Sequence, residues 1–317
     1  MRIFVAGATG ALGRRLVPKL IAAGHEVVGM TRDGQGEALL REFGARAAIA
    51  DALDAEAVRR AVVVSEPDAV VHQLTALSGS LDLRRFDASF AATNRLRTEG
   101  TDNLLAAARA AGATRFIAQS FAGWPFERSG GPVKTEYDLL DSDPPAPMRR
   151  TLEAIRYLEQ VVTGARDLVG IVLRYGGFYG PGTSIALDQP ADQVVALRKR
   201  KIPLVGGGTG VWSFVHVDDA AAATVAALHR GHAGVYHVVD DEPAPVRDWL
   251  PALAEAVGAP PPFRLPRWLG RIAAGQAVIV LMTESRGASN EKAKRELGWQ
   301  PEHASWRTGF VHGLALR

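Results

Sequence analysis

The sequence predicts an α/β protein with a doubly wound parallel sheet and a smaller C-terminal α/β lobe. Short β-branched runs alternate with longer Ala/Leu-rich helical patterns over the first two-thirds of the chain, which is typical of parallel sheets covered by helices. A glycine-rich turn follows the first apolar run, and the alternation loosens after about residue 180. We therefore expect a first domain over 1–180 and a second lobe over 181–317, and we allow for segments that cross between them.

Six strands and four helices account for the predicted first domain. In chain order the strands are RIFVA, EVVGM, ARAAIA, DAVVHQL, TRFIAQS and LVGIVLRY. Apolar residues recur at helical spacing over 11–23, 54–64, 94–111 and 148–165, where we expect the helices. In the C-terminal lobe, WSFVHV and GVYHVV predict further strands, and Pro-rich breaks such as GAPPPFRLP separate several helices.

The composition excludes several classes of site. At 317 residues with 47% hydrophobic content the chain can bury a large core. It contains no cysteine, which removes disulfides, thiolate metal sites and cysteine nucleophiles. The histidines lack metal-ligand spacing, and Asp218 and Asp219 are predicted to cap a helix. We therefore predict no metal site.

Charge and hydropathy indicate the surroundings of the protein. The N-terminus lacks the features of a signal peptide, and the apolar run at 273–282 is too short to span a bilayer. The 37 basic and 34 acidic residues nearly balance, and the basic run at 198–201 contains no aromatic residues that could stack on bases. We expect a cytoplasmic protein without nucleic-acid or membrane partners.

The strongest chemical signal is the segment VAGATGALG at 5–13. Gly7, Gly10 and Gly13 are spaced three residues apart between the first strand and the first helix. Glycines there allow a tight turn and let a pyrophosphate approach the backbone N–H groups at the positive end of the helix. The segment therefore predicts a bound dinucleotide.

The end of the second strand indicates which dinucleotide is bound. An acidic side chain at this point would bind the ribose 2′-hydroxyl of NAD, whereas this chain has Thr31 and Arg32. A guanidinium can pair bidentately with a 2′-phosphate, so NADP is predicted. Asp33, one place later, leaves NAD as the alternative. Asp51, after the third strand, could bind the adenine edge or cap a helix.

These motifs and others resemble the extended short-chain dehydrogenases/reductases of the NAD(P)-dependent epimerase/dehydratase group. The matching segments are GATGALG, DAVVHQLTA, Asn94 with GTDNLLAAA, RFIAQS, LRYGGFYGPG, WSFVHVDDAAAATVAAL and SNEKAKRELGWQP. The resemblance implies a Rossmann domain that binds NAD(P) and a C-terminal lobe that closes over a small-molecule substrate. The expected cofactor contacts are Gly7, Thr9, Gly10, Ala11, Leu12, Gly13, Thr31, Arg32, Asp51, Ala52, Gln73, Leu74, Thr75, Ser120, Tyr175, Gly177 and Phe178.

The resemblance also implies a catalytic Tyr-x-x-x-Lys pair, which this chain lacks. In the family the tyrosine exchanges a proton with the substrate while the lysine lowers the tyrosine pKa. Taking Glu159 as the glutamate that follows the lysine by four residues puts Thr151 and Ile155 at the tyrosine and lysine positions. None of the five tyrosines has a lysine four residues later. No other alignment restores the pair.

Ser120, Thr151 and Tyr179 are the candidate catalytic residues. Ser120 would hydrogen-bond a substrate carbonyl or hydroxyl, with strand-end capping as the alternative. The hydroxyl of Thr151 can donate a hydrogen bond, but an alkyl hydroxyl is far too weak an acid to replace a lysine-assisted phenol. Tyr179 is a candidate replacement acid. Further candidates for that role are Glu136, Tyr137 and His216.

Two positions bear on the substrate. Trp212 stands where nucleotide-sugar enzymes of the family carry an arginine for the substrate pyrophosphate, and Gly177 stands where they often carry an asparagine. Trp212, Phe178, Tyr179 and Trp124 instead suggest a more apolar pocket. The sequence therefore predicts an NADP-dependent oxidoreductase or isomerase with a non-standard proton donor, acting on a small, moderately apolar carbonyl or alcohol.

Two other functions stay open at this point. One is a catalytically inactive NAD(P)-binding sensor or scaffold, since binding needs the glycine loop and Arg32 but no acid. The other is a nucleotide-sugar epimerase or dehydratase. For any of the three, the resemblance implies a homodimer formed through the helices at 94–111 and 148–165.

Overall fold

A seven-stranded, all-parallel sheet forms the centre of the computed structural model, which describes residues 1–77, 82–188 and 190–315. In spatial order its strands are β12 (Gly234–Val238), β7 (Val169–Tyr175), β5 (Arg115–Phe121), β4 (Ala69–His72), β1 (Arg2–Ala6), β2 (Glu26–Thr31) and β3 (Arg46–Ile49). The chain order reverses between β1 and β4, where doubly wound sheets open a ligand crevice at the carboxyl ends of their strands. The predicted fold class and its six first strands are confirmed.

Both faces of the sheet are covered, which explains why its strands are apolar runs without polar alternation. Ile3 and Val5 lie in the apolar cluster on one face, and Phe4 and Ala6 lie in the cluster on the other face. All four are fully buried. Successive side chains of a strand point to opposite faces, so β1 contributes to two cores at once.

Helices flank the sheet on both sides. Helices α1 (Gly13–Ala22), α2 (Gly34–Glu42) and α9 (Val217–Arg230) contribute to one core. Helices α3 (Ala55–Ser65), α6 (Thr101–Ala110) and α7 (Arg149–Thr163) contribute to the other. The remaining helices are α4 (Phe86–Ser89), α5 (Ala91–Arg95), α8 (Asp192–Arg198), α10 (Val246–Ala256), α11 (Arg267–Ile279) and α12 (Trp306–His312).

Two helical predictions differ from the structure. The helix expected over 94–111 begins earlier, as α4 and α5, and a π-helical segment at Leu96–Gly100 interrupts it before α6. Helix α2 was not predicted, because two glycines in its first turn, Gly34 and Gly36, hide the helical pattern. Asp33 starts this helix by accepting a hydrogen bond from the Gly36 N–H.

Short strands pair outside the main sheet, and three of these four pairs contribute to a separate apolar cluster. The pairs are β8 (Gly177–Tyr179) with β11 (Phe214–His216), β10 (Val211–Trp212) with β13 (Ala244–Pro245), β9 (Leu204–Val205) with β14 (Arg264–Leu265), and β6 (Val133–Lys134) with β15 (Gly287–Ala288). WSFVHV therefore forms two strands that are separated at Ser213. GVYHVV instead joins the main sheet as β12, so a segment beyond residue 180 completes the first core. Among the described residues, no helix has the length and apolarity needed to cross a membrane.

Candidate active site

The glycine loop between β1 and α1 has the shape that a dinucleotide pyrophosphate needs. Gly7 has φ of +90°, and a Cβ there would lie 2.6 Å from the carbonyl oxygen of Gln73. A Cβ on Gly13 would overlap the Gly7 carbonyl oxygen. Within the described ranges, the N–H groups of Ala11, Leu12 and Gly13 donate to no backbone carbonyl. Free N–H groups at a helix N-terminus bind phosphate, so the residues present fit the cofactor.

Three residues at the end of β2, where the sequence predicts contacts to the cofactor ribose, differ in their exposure. Thr31 is buried, whereas Arg32 and Asp33 are exposed. The Asp33 carboxylate accepts a hydrogen bond of 2.9 Å from the Gly36 N–H and so caps α2. Arg32 can therefore reach a ligand at the loop without releasing a helix cap, whereas one oxygen of Asp33 is already engaged.

The other predicted cofactor contacts lie at the carboxyl ends of β3, β4 and β7. The exposed carboxylate of Asp51 accepts from the Leu53 N–H, while Asp54, and not Asp51, caps α3. Gln73 is buried and donates to Tyr175, and its Oε1 has no partner among the described residues. The remaining predicted positions are Ala52, which is buried, Leu74, Gly177 and Phe178, which are half-buried, and Thr75, which is exposed.

Thr151 lies in the first turn of α7, and its hydroxyl makes two hydrogen bonds. It donates to a carboxylate oxygen of Asp87 over 2.6 Å and accepts from the Asn94 side chain over 3.1 Å. The same Asp87 carboxylate accepts from the backbone N–H groups of Arg150 and Thr151, so it caps the helix. Sequence reasoning missed Asp87, because nothing in the local pattern marks a cap so distant in the chain.

Ile155, which the family resemblance puts at the lysine position, is only 1% exposed and lies in an apolar cluster. The cluster also contains Phe86, Phe90, Trp124, Met148, Leu152, Ala277 and Val280. An ammonium group at this position would have to leave water for hydrocarbon, which is costly without a partner. The helix thus has no proton donor of the family type, and its surroundings do not provide for one.

Ser120 belongs to a buried polar network that spans three strands. Ser120, Arg174 and His237 are register partners on β5, β7 and β12, so their side chains point to the same face. There Glu159 of α7 accepts from Ser120 over 2.6 Å and from two nitrogens of Arg174 over 2.8 and 2.6 Å. Arg174 also donates to His237, whose pKa is lowered by burial to about 3. The Ser120 hydroxyl is therefore directed at a carboxylate in this structure.

The other candidate acids lie in different settings. Tyr179 is fully buried against Gly309 and Phe310, and burial raises the pKa of its hydroxyl. Glu136 accepts from the His237 backbone N–H, and burial raises its pKa as well. Tyr137 is 84% exposed. The catalytic roles of Ser120, Thr151 and Tyr179 stay predictions.

A small apolar cleft of about 20 Å³ opens where β5 ends. Its walls are Phe121, Ala122, Gly123, Trp124, Trp212, Ser213, Leu281 and Ser285. Trp212 is fixed by a hydrogen bond of 2.7 Å from its indole N–H to the Leu281 carbonyl. A cleft at the carboxyl end of a central strand is the usual ligand site of this architecture, and the walls of this one are mostly apolar.

His216, Asp219 and His303 form a second cluster of polar groups close to the C-terminus. Asp219 accepts from the backbone N–H groups of Glu302 and His303 and contacts the His303 ring at 3.1 Å. His216 accepts from the Asp218 N–H and so caps α9, a role that we had wrongly expected for the two aspartates. The side-chain nitrogen and oxygen atoms of this cluster, which could otherwise bind a metal ion, already make hydrogen bonds within the protein. The cluster connects the segment around His303 to α9.

Comparison with known proteins identifies the family of this chain. Residues 3–239 match the model of the NAD dependent epimerase/dehydratase family. The chain is 48% identical over 315 residues to a 3-diazoavenalumate denitrifying reductase of Streptomyces sp, with 98% of this chain and 99% of that protein covered. It is 31% identical over 271 residues to a 2-alkyl-3-oxoalkanoate reductase of Stenotrophomonas maltophilia, with 82% and 77% covered.

Solved structures extend the comparison. The UDP-glucose 4-epimerase of Thermus thermophilus in complex with NAD superimposes with a TM-score of 0.73 at 26% identity, with 99% of this chain and 98% of that chain covered. The UDP-glucose 4-epimerase of Thermotoga maritima gives a TM-score of 0.75 at 22% identity, with 99% and 97% covered, and supports the fold alone. The chain thus belongs to the NAD dependent epimerase/dehydratase family and is an NAD(P)-dependent enzyme of the oxidoreductase/epimerase type.

Proposed function

We propose that the protein is an NADP-dependent reductase that acts on a small aromatic substrate and uses no side-chain proton donor of the family type. The observation that carries this proposal is the face of α7. Thr151 is engaged with Asp87 and Asn94, and Ile155 is packed in hydrocarbon. When bound, the reduced dinucleotide supplies a hydride. The protein holds the reacting partners together, and positioning alone accounts for much of the rate of such reactions.

A substrate that accepts a hydride without a proton fits this site best. Reduction of a ketone needs a proton on the carbonyl oxygen as the hydride arrives, whereas replacement of the nitrogen of an aryl diazonium does not. In that reaction the hydride joins the ring carbon and N₂ leaves with the former C–N electron pair, so that ArN₂⁺ and H⁻ give ArH and N₂. The relative that is 48% identical is named a 3-diazoavenalumate denitrifying reductase, which supports a diazo compound as the substrate class.

A small carbonyl compound, the substrate expected from the sequence, is the second candidate. The similarity to a 2-alkyl-3-oxoalkanoate reductase favours it. In this case water or the substrate itself would have to supply the proton, because the hydroxyls of Thr151 and Tyr157 on α7 already donate to carboxylates. We expect slower turnover by about 10²–10⁴-fold than with a positioned acid.

An assay with labelled cofactor separates the two reactions. The protein is incubated with a 4-hydroxyaryl diazonium salt or a 3-oxo acid and with NADPH that carries deuterium at the transferred position. We expect N₂ release and one deuterium on the ring carbon that carried nitrogen. Reduction of the 3-oxo acid alone would favour the carbonyl candidate, and activity with neither compound would contradict the reductase proposal. Ser120→Ala should slow the reaction if Ser120 also touches the substrate.

The choice of NADP rests on Arg32. We expect NADPH to bind more tightly than NADH, because the exposed guanidinium can pair with the 2′-phosphate while Asp33 caps α2. Isothermal titration of wild type and Arg32→Ala with both cofactors tests this. The variant should lose the preference and keep its affinity for NADH. Equal affinities in the wild-type protein would show that Arg32 does not read the phosphate.

A cytoplasmic homodimer completes the proposal. The hydroxyl of Tyr157 on α7 donates to Asp102 on α6 over 2.7 Å, so that the two helices present one joined surface. The lack of cysteine suits a reducing compartment. Sedimentation equilibrium should give twice the mass of 33.8 kDa, and a monomer at micromolar concentration would contradict this assembly.

A further inference from the structure

Arg97 is a buried cation that neither the fold nor the cofactor site explains. It lies on the π-helical segment at Leu96–Gly100, and only 8% of it is exposed. Among the described residues, its guanidinium makes one hydrogen bond, a long contact of 3.4 Å to the Asn94 side-chain oxygen. A guanidinium has five N–H donors. Most of these donors have no protein partner in the part of the chain that the structure describes.

The charge of Arg97 persists at neutral pH. Burial lowers its pKa, to about 10, and the nearby carboxylate of Glu159 acts in the opposite direction. Glu159 itself is held at close range by Arg174 and Ser120. Arg97 is therefore not the direct partner of this carboxylate, and the site contains one more positive charge than close pairing explains.

The position of Arg97 directs it toward the catalytic face of α7. Asn94 receives the contact from Arg97 through its oxygen and donates from its nitrogen to the Thr151 hydroxyl over 3.1 Å. Arg97 is thus one side chain away from the position that the family gives to its catalytic tyrosine. On its other side, the same helical stretch is tied to the segment after β4 through the bond from the Ala76 N–H to Thr93. Predicted cofactor contacts Gln73, Leu74 and Thr75 lie in that segment.

We propose that Arg97 is a substrate-binding residue whose guanidinium binds an anionic oxygen of the substrate, either a phenolate or a carboxylate, beside the position of the missing tyrosine. The proposal rests on the reductase function proposed above. Arg97 would supply, from a neighbouring helical segment, the positive charge that α7 lacks at Ile155. A cation at this position holds a negative oxygen while the hydride arrives, and it selects anionic substrates over neutral ones of the same shape.

Thermal stability provides the first test. Replacing a residue that serves the fold lowers the unfolding temperature, whereas replacing a residue that serves only a ligand does not. A buried charge without a close partner carries a desolvation penalty, and an apolar side chain of similar length removes that penalty. Arg97→Met should therefore unfold at the same temperature as wild type or at a higher one in the absence of ligands. The matched control is Arg95→Met, which removes an exposed arginine paired with Glu99 on the same helical stretch. A lower unfolding temperature for Arg97→Met than for the control would assign Arg97 to the fold and overturn the proposal.

Ligand binding provides the second test and requires no turnover. The protein with bound NADP⁺ is titrated with 4-nitrophenol, cinnamate and the neutral cinnamamide, and quenching of the tryptophans that line the cleft reports binding. We expect wild type to bind at least one anionic probe about tenfold more tightly than cinnamamide, the difference made by one charge-assisted contact. Arg97→Met should lose this preference and Arg97→Lys should keep part of it.

The probes distinguish the source of the negative oxygen. Tight binding of 4-nitrophenol, with its visible phenolate band appearing at a pH lower by about one unit, indicates a phenolate. Tight binding of cinnamate indicates a carboxylate. An unchanged preference in Arg97→Met would overturn the proposal, and so would a loss of NADP⁺ affinity with the preference for anions intact. Because these readouts are equilibria, failure of the reduction assay leaves them interpretable.

Discussion

Replacement of Glu159 by glutamine tests how much the buried network under the site contributes to stability. Glu159 and Arg174 are 7% and 5% exposed, and they form two hydrogen bonds of 2.6 and 2.8 Å. Glu159→Gln keeps the shape of the side chain but removes its charge. The Arg174 guanidinium is then left inside the protein with only His237, which burial keeps neutral, and the half-satisfied hydrogen bonds of the amide.

The expected loss follows from the burial of both partners. Breaking a buried ion pair by removing one charge costs about 3–5 kcal/mol, because the remaining charge is uncompensated. With an unfolding entropy of roughly 2.1 cal/mol/K per residue, a chain of 317 residues should lose about 5–8 °C in unfolding temperature. The double variant Glu159→Leu with Arg174→Met should recover most of this loss, because neither charge is then left without its partner.

Thermal unfolding followed by circular dichroism, with urea titration in parallel, measures both variants. Glu153→Gln on the exposed face of α7 is the control, and it should change stability by less than about 0.5 kcal/mol. A loss below about 1 kcal/mol for Glu159→Gln, or a double variant as unstable as the single one, would refute the argument. Either result would mean that water reaches the network.

Three further predictions concern single positions. Gly7→Ala should lower stability by about 1–3 kcal/mol and abolish cofactor binding in titrations, because φ is +90° and the added Cβ meets the Gln73 carbonyl. Burial raises the pKa of Asp240 from 3.8 to about 8. Between these values the folded state retains a proton that the unfolded chain releases, so the protein loses stability as the pH rises. In urea titrations, the free energy of unfolding relative to Asp240→Asn should fall by up to about 1.4 kcal/mol per pH unit from pH 4 to pH 8. Ile155→Lys should destabilise the protein by at least about 3 kcal/mol at pH 7. The free energy of unfolding should recover as the pH rises toward the pKa of free lysine, because the buried side chain is then neutral.

Local signals were sufficient for most of the fold. The β-branched runs and the glycine loop identified the strands of the first core, because each strand is buried on both faces and so has a continuous apolar sequence. Helix α2 was not predicted from the sequence, because Gly34 and Gly36 have low helix propensity and the helix begins with a single side-chain cap from Asp33. The position of β12 in the main sheet depends on pairing with β7, which is distant in the sequence, so no local pattern predicts it.

The site was predictable in its backbone and less so in its side chains. The glycine spacing and the absent Tyr-x-x-x-Lys pair are legible in the sequence. The partners of Ser120 and Thr151 are not, because Glu159 and Asp87 approach them from 39 and 64 residues away. Arg97 gave no signal either, because an arginine in a helical pattern normally lies in water, and only its burial marks it as unusual.

The place of β12 beside β7 constrains how this enzyme can be redesigned. A chimera that exchanges the substrate lobe by a single crossover near residue 180 would replace residues 234–238, which pair with β7 at the edge of the sheet. If the incoming strand failed to match, β7 would present bare N–H and C=O groups to other chains and invite aggregation. Successful recombination needs three crossovers, near residue 180 and on either side of 234–238, so that this strand stays with the N-terminal segment whose edge it protects.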